Sequence, residues 1–159
     1  MKTRIIHTEV LIYEPNEVTS TDKLVIDKAI EASFNAYAPY SKFKVGAAVL
    51  LENGEIITGN NQENAAYPSG LCAERTALFY ANANYPNVAV VSLAVAVNKN
   101  GIVLKHPAPP CGSCRQVILE SENRFAKPIR IILAGTESVE VVANAKALLP
   151  LDFDAEFLK

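Results

Sequence analysis

Three cysteines and one glutamate are the residues of this chain best placed to do chemistry. Cys111-Gly112-Ser113-Cys114 is a C-x-x-C pair, Cys72 lies 39 positions before its first member, and Glu74 follows Cys72 closely. A lone C-x-x-C serves redox motifs and zinc sites alike. A thioredoxin-type dithiol stands near the start of its fold, after a first strand, and would leave Cys72 unexplained. A metal reading uses all three. Zn²⁺ takes four ligands in tetrahedral geometry, all from protein in a structural site and with one position left to water in a catalytic one. A four-cysteine site is out of reach, because the chain has Cys 3 and His 2. His7 stands in a weakly patterned N-terminal stretch. His106, in the proline-rich loop before Cys111, could close the site, although exposure on a loop is the commoner fate of such a residue. Three thiolates with an open position favour catalysis.

The neighbours of the cysteines fit that chemistry. Gly70-Leu71-Cys72 precedes one expected helix and Pro110-Cys111-Gly112 another. Helix N-termini present unpaired N–H groups and a partial positive charge, which favour thiolate. Arg75 is spaced to donate to those sulfurs and to offset the negative charge of a three-thiolate zinc. Glu74 falls in the first helical turn, where a carboxylate can take a proton from water at the open position and return it elsewhere. An acidic residue placed there only for the helix dipole is also common, and the cysteines decide between the two readings.

The elements that must position these residues follow from periodicity. Residues 1–21 form an extension with one short strand at most, broken at Glu14-Pro15-Asn16. Thr19-Ser20-Thr21-Asp22 supplies N-cap candidates for a helix to about Tyr37, with Val25, Ile26, Ala29, Ile30, Ser33, Phe34 and Tyr37 as its stripe. Lys44–Leu51 and Glu55–Thr58 flank Asn53-Gly54 and make a hairpin. A second helix covers Cys72–Ala83. Val88–Val97 reads as a strand buried on both faces, Ser113–Glu120 as a third helix, and Ile129–Ala134 and Val139–Ala143 as strands before a short helix at Ala145–Leu149. This order predicts one domain over residues 22–159, with helices on both faces of a mixed five-stranded sheet.

Composition narrows the function classes. The chain has 159 residues, 50% of them apolar and 20% charged, which suits one ordinary globular domain. A formal charge of −2 gives no basic excess for nucleic acid or anionic membrane. An odd, sparse cysteine count does not suit a secreted disulfide scaffold. The N-terminus lacks the apolar stretch of a signal peptide, and no run approaches the roughly eighteen apolar residues of a membrane span. The expectation is a soluble, cytoplasmic protein.

Longer motifs carry a resemblance. Tyr40–Ala48, Gly59–Tyr67, Cys72-Ala73-Glu74-Arg75-Thr76-Ala77, Pro110–Gln116 and Leu148–Phe153 resemble the small homotetrameric zinc-dependent cytidine deaminases, in order from about Asp22 to the end. The likeness implies a three-layer α/β/α sandwich and one Zn²⁺ per chain held by Cys72, Cys111 and Cys114. It implies that Glu74 shuttles protons while water adds at C4 of the pyrimidine and ammonia leaves. Asn61 and Glu63 would hold the ribose hydroxyls, Phe43 would pack on the base, and the backbone N–H of Ala73 would face the base O2. Phe153 would come from a neighbouring subunit, and Arg75 would sit behind the thiolates. The substrate implied is cytidine or 2′-deoxycytidine, as in pyrimidine salvage. A polynucleotide-editing deaminase needs a basic groove and stacking aromatics, which this chain lacks. A deaminase for a cytosine-type antibiotic fits the Asn61–Glu63–Ala65 loop less well. A structural zinc or thiol module would leave Glu74 without a role.

Overall fold

The longest strand of the computed structural model, Val90–Lys99, comes from a nearly unbroken apolar run and lies inside the sheet, flanked on both edges. The structure describes every residue from Met1 to Lys159. In chain order the elements are β1 (Leu11–Tyr13), α1 (Ser20–Phe34), β2 (Phe43–Leu51), β3 (Ile56–Asn60), α2 (Ala73–Asn84), β4 (Val90–Lys99), β5 (Ile102–Val103), α3 (Gly112–Phe125), β6 (Arg130–Ala134) and β7 (Val139–Val142), with 3-10 turns at Tyr67–Ser69, Lys146–Leu148 and Ala155–Leu158. The sheet runs β1-β7-β6-β4-β2-β3, and β5 pairs with the end of β4. Only β4 and β6 are parallel, joined by a crossover that contains α3.

The sheet therefore has seven strands rather than the expected five. β1 is the one short strand allowed for in residues 1–21, β5 was not expected, and both are too short for a periodic signal. β1 lies antiparallel on the edge of β7, with Leu11 opposite Val141 and Tyr13 opposite Val139. β5 folds back on β4 through Asn100-Gly101, both at positive φ. The expected terminal helix at Ala145–Leu149 is a single 3-10 turn ahead of Pro150. α3 runs past Glu120 to Phe125 and ends at Ala126 in the left-handed region, φ 50°. α1 stops at Phe34, and Phe34 and Tyr37 are exposed where the apolar stripe placed them inside. Ala36 and Ala38 occupy the buried positions beyond the helix instead.

The two faces of the sheet carry different helices. Alternation along β4 sends Leu93 and Val95 to one side and Ala94 and Ala96 to the other. α2 and α3 pack on the first side through Ala77, Leu78, Ile118 and Leu119. α1 packs on the second through Val25, Ile26 and Ala29. The N-terminal turn of α1 is tied to β6 by Asp22, nearly buried, which Arg130 approaches at 3.0 Å.

Two glycines let helices touch the sheet. A Cβ at Gly46 would lie 2.0 Å from the Ala29 carbonyl oxygen of α1. At Gly59 it would lie 2.5 Å from the Ala77 nitrogen and 2.6 Å from the Ala73 oxygen, so the first turn of α2 rests directly on β3. That contact sets the height of Cys72 and Glu74 above the sheet.

Candidate active site

Cys72 and Cys111 are the N-cap residues of α2 and α3, with extended backbone at ψ 153° and 165°. Their carbonyls accept the first helical bonds, from Thr76 and Arg115, each at 3.0 Å. Neither thiol caps its own helix, which leaves both sulfurs for another partner. Cys114, in the first turn of α3, is fully buried beside them. The Cys72 and Cys111 sulfurs are 3.9 Å apart, those of Cys111 and Cys114 3.5 Å, and all three lie within 4.8 Å of one another.

These distances fit a metal. Tetrahedral zinc with Zn–S bonds of about 2.3 Å requires S···S separations of roughly 3.8 Å, whereas a disulfide needs about 2.05 Å. Three soft sulfur donors suit zinc. No histidine joins the cluster, which consists of Cys72, Cys111 and Cys114 alone, and His106 is exposed on its loop. The three sulfurs could therefore hold a zinc ion, and no fourth protein ligand stands in their cluster.

The charges are arranged around one sulfur. The Cys72 thiol is drawn down to about 5 by hydrogen bonding from Cys114 and by the Arg75 guanidinium, against the opposing effect of burial. Arg75 Nη2 donates to the Cys72 sulfur at 3.5 Å. The Cys114 thiol is pushed up by its hydrogen bond to Cys72 and by burial. Glu74 is almost completely buried, at 4% exposure. Burial raises its carboxyl above the ordinary carboxylate range, and the neighbouring Cys72 charge adds to the effect. A carboxyl raised in this way is suited to taking up a proton and giving it back.

A cavity of about 390 Å³ opens onto this cluster and is lined by Cys72, Glu74 and Cys111 on the metal side. Phe43, Val45, Val95 and Val97, from the adjacent ends of β2 and β4, give it an apolar wall. Asn61 and Glu63 line its polar side, and both also line an adjoining cavity of about 510 Å³ that extends to Tyr40 and Tyr67. The loop between β3 and α2 is held in extended form: Tyr37 donates to the Asn61 carbonyl at 3.0 Å, and Gln62 and Leu71 exchange bonds at 2.9 and 3.0 Å. These bridges bring Asn61, Glu63 and Cys72 to one opening.

The polar pair is already at work within the chain. Asn61 Oδ1 accepts from the Val45 N–H at 2.8 Å, and Nδ2 donates to the Phe43 carbonyl at 2.9 Å. Glu63 accepts from the Tyr40 and Ser41 N–H groups at 2.9 and 3.3 Å and from the Ser41 hydroxyl. The Ser41 hydroxyl leads in holding the Glu63 carboxyl below its usual range. Asn61 Oδ1 and Glu63 Oε1 each accept one bond and keep a lone pair for a further donor, whereas Glu63 Oε2 already accepts two.

Ala73 is the first residue of α2, its side chain in the core and its N–H among those the helix leaves without an internal partner. Phe153 is apart from the rest. It lines neither cavity of its own chain, is half exposed, and stacks on Phe157 with ring centroids 5.6 Å apart. Ser41 and the valines at 45, 95 and 97 have no role in the sequence reading. The valines are placed by the register of β2 against β4, where Val45 faces Val97, and Ser41 by its bonds to Glu63 and the Phe43 N–H.

The model for the cytidine and deoxycytidylate deaminase zinc-binding region matches residues 19–127 of the chain. The cytidine deaminase of Halalkalibacterium halodurans is 48% identical over 134 residues, covering 84% of this chain and 95% of that one. That of Sporosarcina psychrophila is 42% identical over 137 residues, 86% of this chain and 93% of its own length. Among solved structures, a cytidine deaminase from Burkholderia pseudomallei superposes with a TM-score of 0.69 at 38% identity, covering 86% of this chain and 100% of that one.

Proposed function

This chain belongs to the cytidine and deoxycytidylate deaminase family, and on that premise we propose that it hydrolyses cytidine and 2′-deoxycytidine to the corresponding uridines and ammonia. The observation that carries the reading is a buried carboxyl, Glu74, lining the same cavity as a three-sulfur metal site. Zinc held by Cys72, Cys111 and Cys114 supplies a Lewis acid that makes water a competent nucleophile near neutral pH.

The chain's own residues do the rest. Glu74 takes a proton from the water that adds to C4 and delivers it to ring N3. Glu74 then moves the remaining proton of the added hydroxyl to the exocyclic nitrogen, so C4 becomes a carbonyl, the C4–N bond breaks and ammonia leaves. Phe43 and the valine wall bury the faces of the pyrimidine, and the Ala73 N–H is the donor for its O2. Asn61 and Glu63 take the ribose hydroxyls. Arg75 offsets the negative charge of the thiolates through its bond to Cys72. Phe153 reaches the site of a neighbouring copy in a homotetramer. Salvage of free pyrimidine nucleosides in the cytoplasm is the setting this activity suits.

A free nucleoside is favoured over a polynucleotide. The chain has net charge −2 and no Trp for stacking a strand, and Glu63 at the ribose end would repel a phosphodiester. An ultraviolet absorbance assay with cytidine, 2′-deoxycytidine and a single-stranded cytosine oligonucleotide tests the assignment. Turnover of both nucleosides and none of the oligonucleotide is expected; faster action on the oligonucleotide would overturn it.

A further inference from the structure

We propose that Gln116 is a positioning residue, which aims Phe153 from the helix that carries two of the metal ligands. The inference rests on the nucleoside reading above and on the place given there to Phe153. After β7 the chain passes through the 3-10 turn at Lys146–Leu148 and crosses α3. Arg115 Nη1 donates to the Leu148 carbonyl at 3.0 Å, and its Nε donates to the Pro110 carbonyl, just before Cys111, at 2.9 Å. The next residue, Gln116, donates from Nε2 to the Phe153 carbonyl at 2.8 Å. Consecutive side chains of α3, beginning one residue beyond Cys114, thus hold both ends of the Leu148–Phe153 segment.

The segment has few other ties. Lys146 pairs with Asp152 at 3.1 Å, both from this same C-terminal stretch. The remaining polar bonds of residues 154–159 are internal to the closing turn. Gln116 is therefore the hydrogen bond that fixes the last ten residues to the body of the domain. Phe153 has no core socket, since its ring is half exposed and stacked only on Phe157. The direction of such a ring is set by its backbone, and the Gln116 amide holds that backbone at Phe153 itself. Because Cys111 and Cys114 open the same helix, the metal site and the aromatic share one rigid frame.

Gln116→Met, close in shape and without the donor, is compared with Phe153→Ala and with the double variant in the full zinc-loaded chain. Gln116→Glu, which keeps the length and offers no amide donor, is a second variant should the first fold poorly. Both Gln116 variants are expected to keep the wild-type zinc content and to raise KM for cytidine by about 5-fold, with kcat changed less. In the double variant KM should match that of Phe153→Ala alone, because residues acting through one contact are not additive. A raised KM in Phe153→Ala beside unchanged KM in both Gln116 variants overturns the proposal alone, as do fully additive effects. An inactive wild-type chain, or unchanged KM in Phe153→Ala, overturns the underlying reading and the proposal with it.

Discussion

At the metal end of the cleft, Cys114 is fully buried and Glu74 nearly so, and Cys72 and Cys111 cap two helices that rest on the sheet. At the end proposed to take the ribose, Asn61 and Glu63 are half-buried on a loop, and their polar atoms hold the backbone of residues 40–45. The metal end is complete within one chain: its geometry comes from packing, as the close approach of α2 to Gly59 shows. On the proposed reading the ribose end shares its groups between chain and substrate. Its groups must keep their internal bonds and accept substrate donors on the remaining lone pairs, or trade one for the other. The proposed function thus puts chemistry that tolerates little displacement on helix ends, and recognition that must release product on a loop.

Breaking the metal end should have the larger consequences. Cys114→Ala removes a buried ligand, so zinc measured by mass spectrometry should fall from about one per chain to a small fraction of that, with turnover lost. Glu74→Gln should retain zinc and lower kcat by about 10²-fold or more in the absorbance assay, because the amide cannot carry the proton. Gly59→Ala should force the first turn of α2 away from β3 and cost roughly 1–3 kcal/mol in denaturant unfolding, with weaker zinc retention.

Breaking the ribose end should act on binding. Glu63→Gln should raise KM for both nucleosides by about tenfold, with a smaller change in kcat. The smallest effect is a pH dependence. The Glu63 carboxyl is held low in the folded chain by the Ser41 hydroxyl and the Tyr40 and Ser41 N–H groups. Whatever stability it adds is present above the ordinary carboxylate range and lost as pH falls through its lowered value. The Tm difference between wild type and Glu63→Gln should accordingly be seen near pH 6 and fade in acid. A constant difference across that range would deny the carboxylate its part in ordering the loop.

How much of this was legible in the sequence differs along the same divide. Cys72 and Cys111 were readable because each stands at a loop-to-helix boundary, a local signal, and both are N-caps in the structure. β4 was readable because burial on both faces leaves an almost continuous apolar run. The shortest strands were not placed, since three residues at Leu11–Tyr13 and two at Ile102–Val103 are below any period. The exposed Phe34 shows the opposite failure, an apolar residue at helical spacing that the end of α1 leaves outside. Contacts such as Ser41 with Glu63, or Gln116 with Phe153, join residues 22 and 37 positions apart, and no local pattern announces them.

The open metal position is the point on which the hydrolytic reading turns. X-ray absorption at the zinc edge of the purified chain measures it. The expected result is three sulfur neighbours at about 2.3 Å and one oxygen, without the outer-shell scattering of an imidazole. A chain without zinc, or a zinc closed by a fourth protein ligand such as His106, would contradict it.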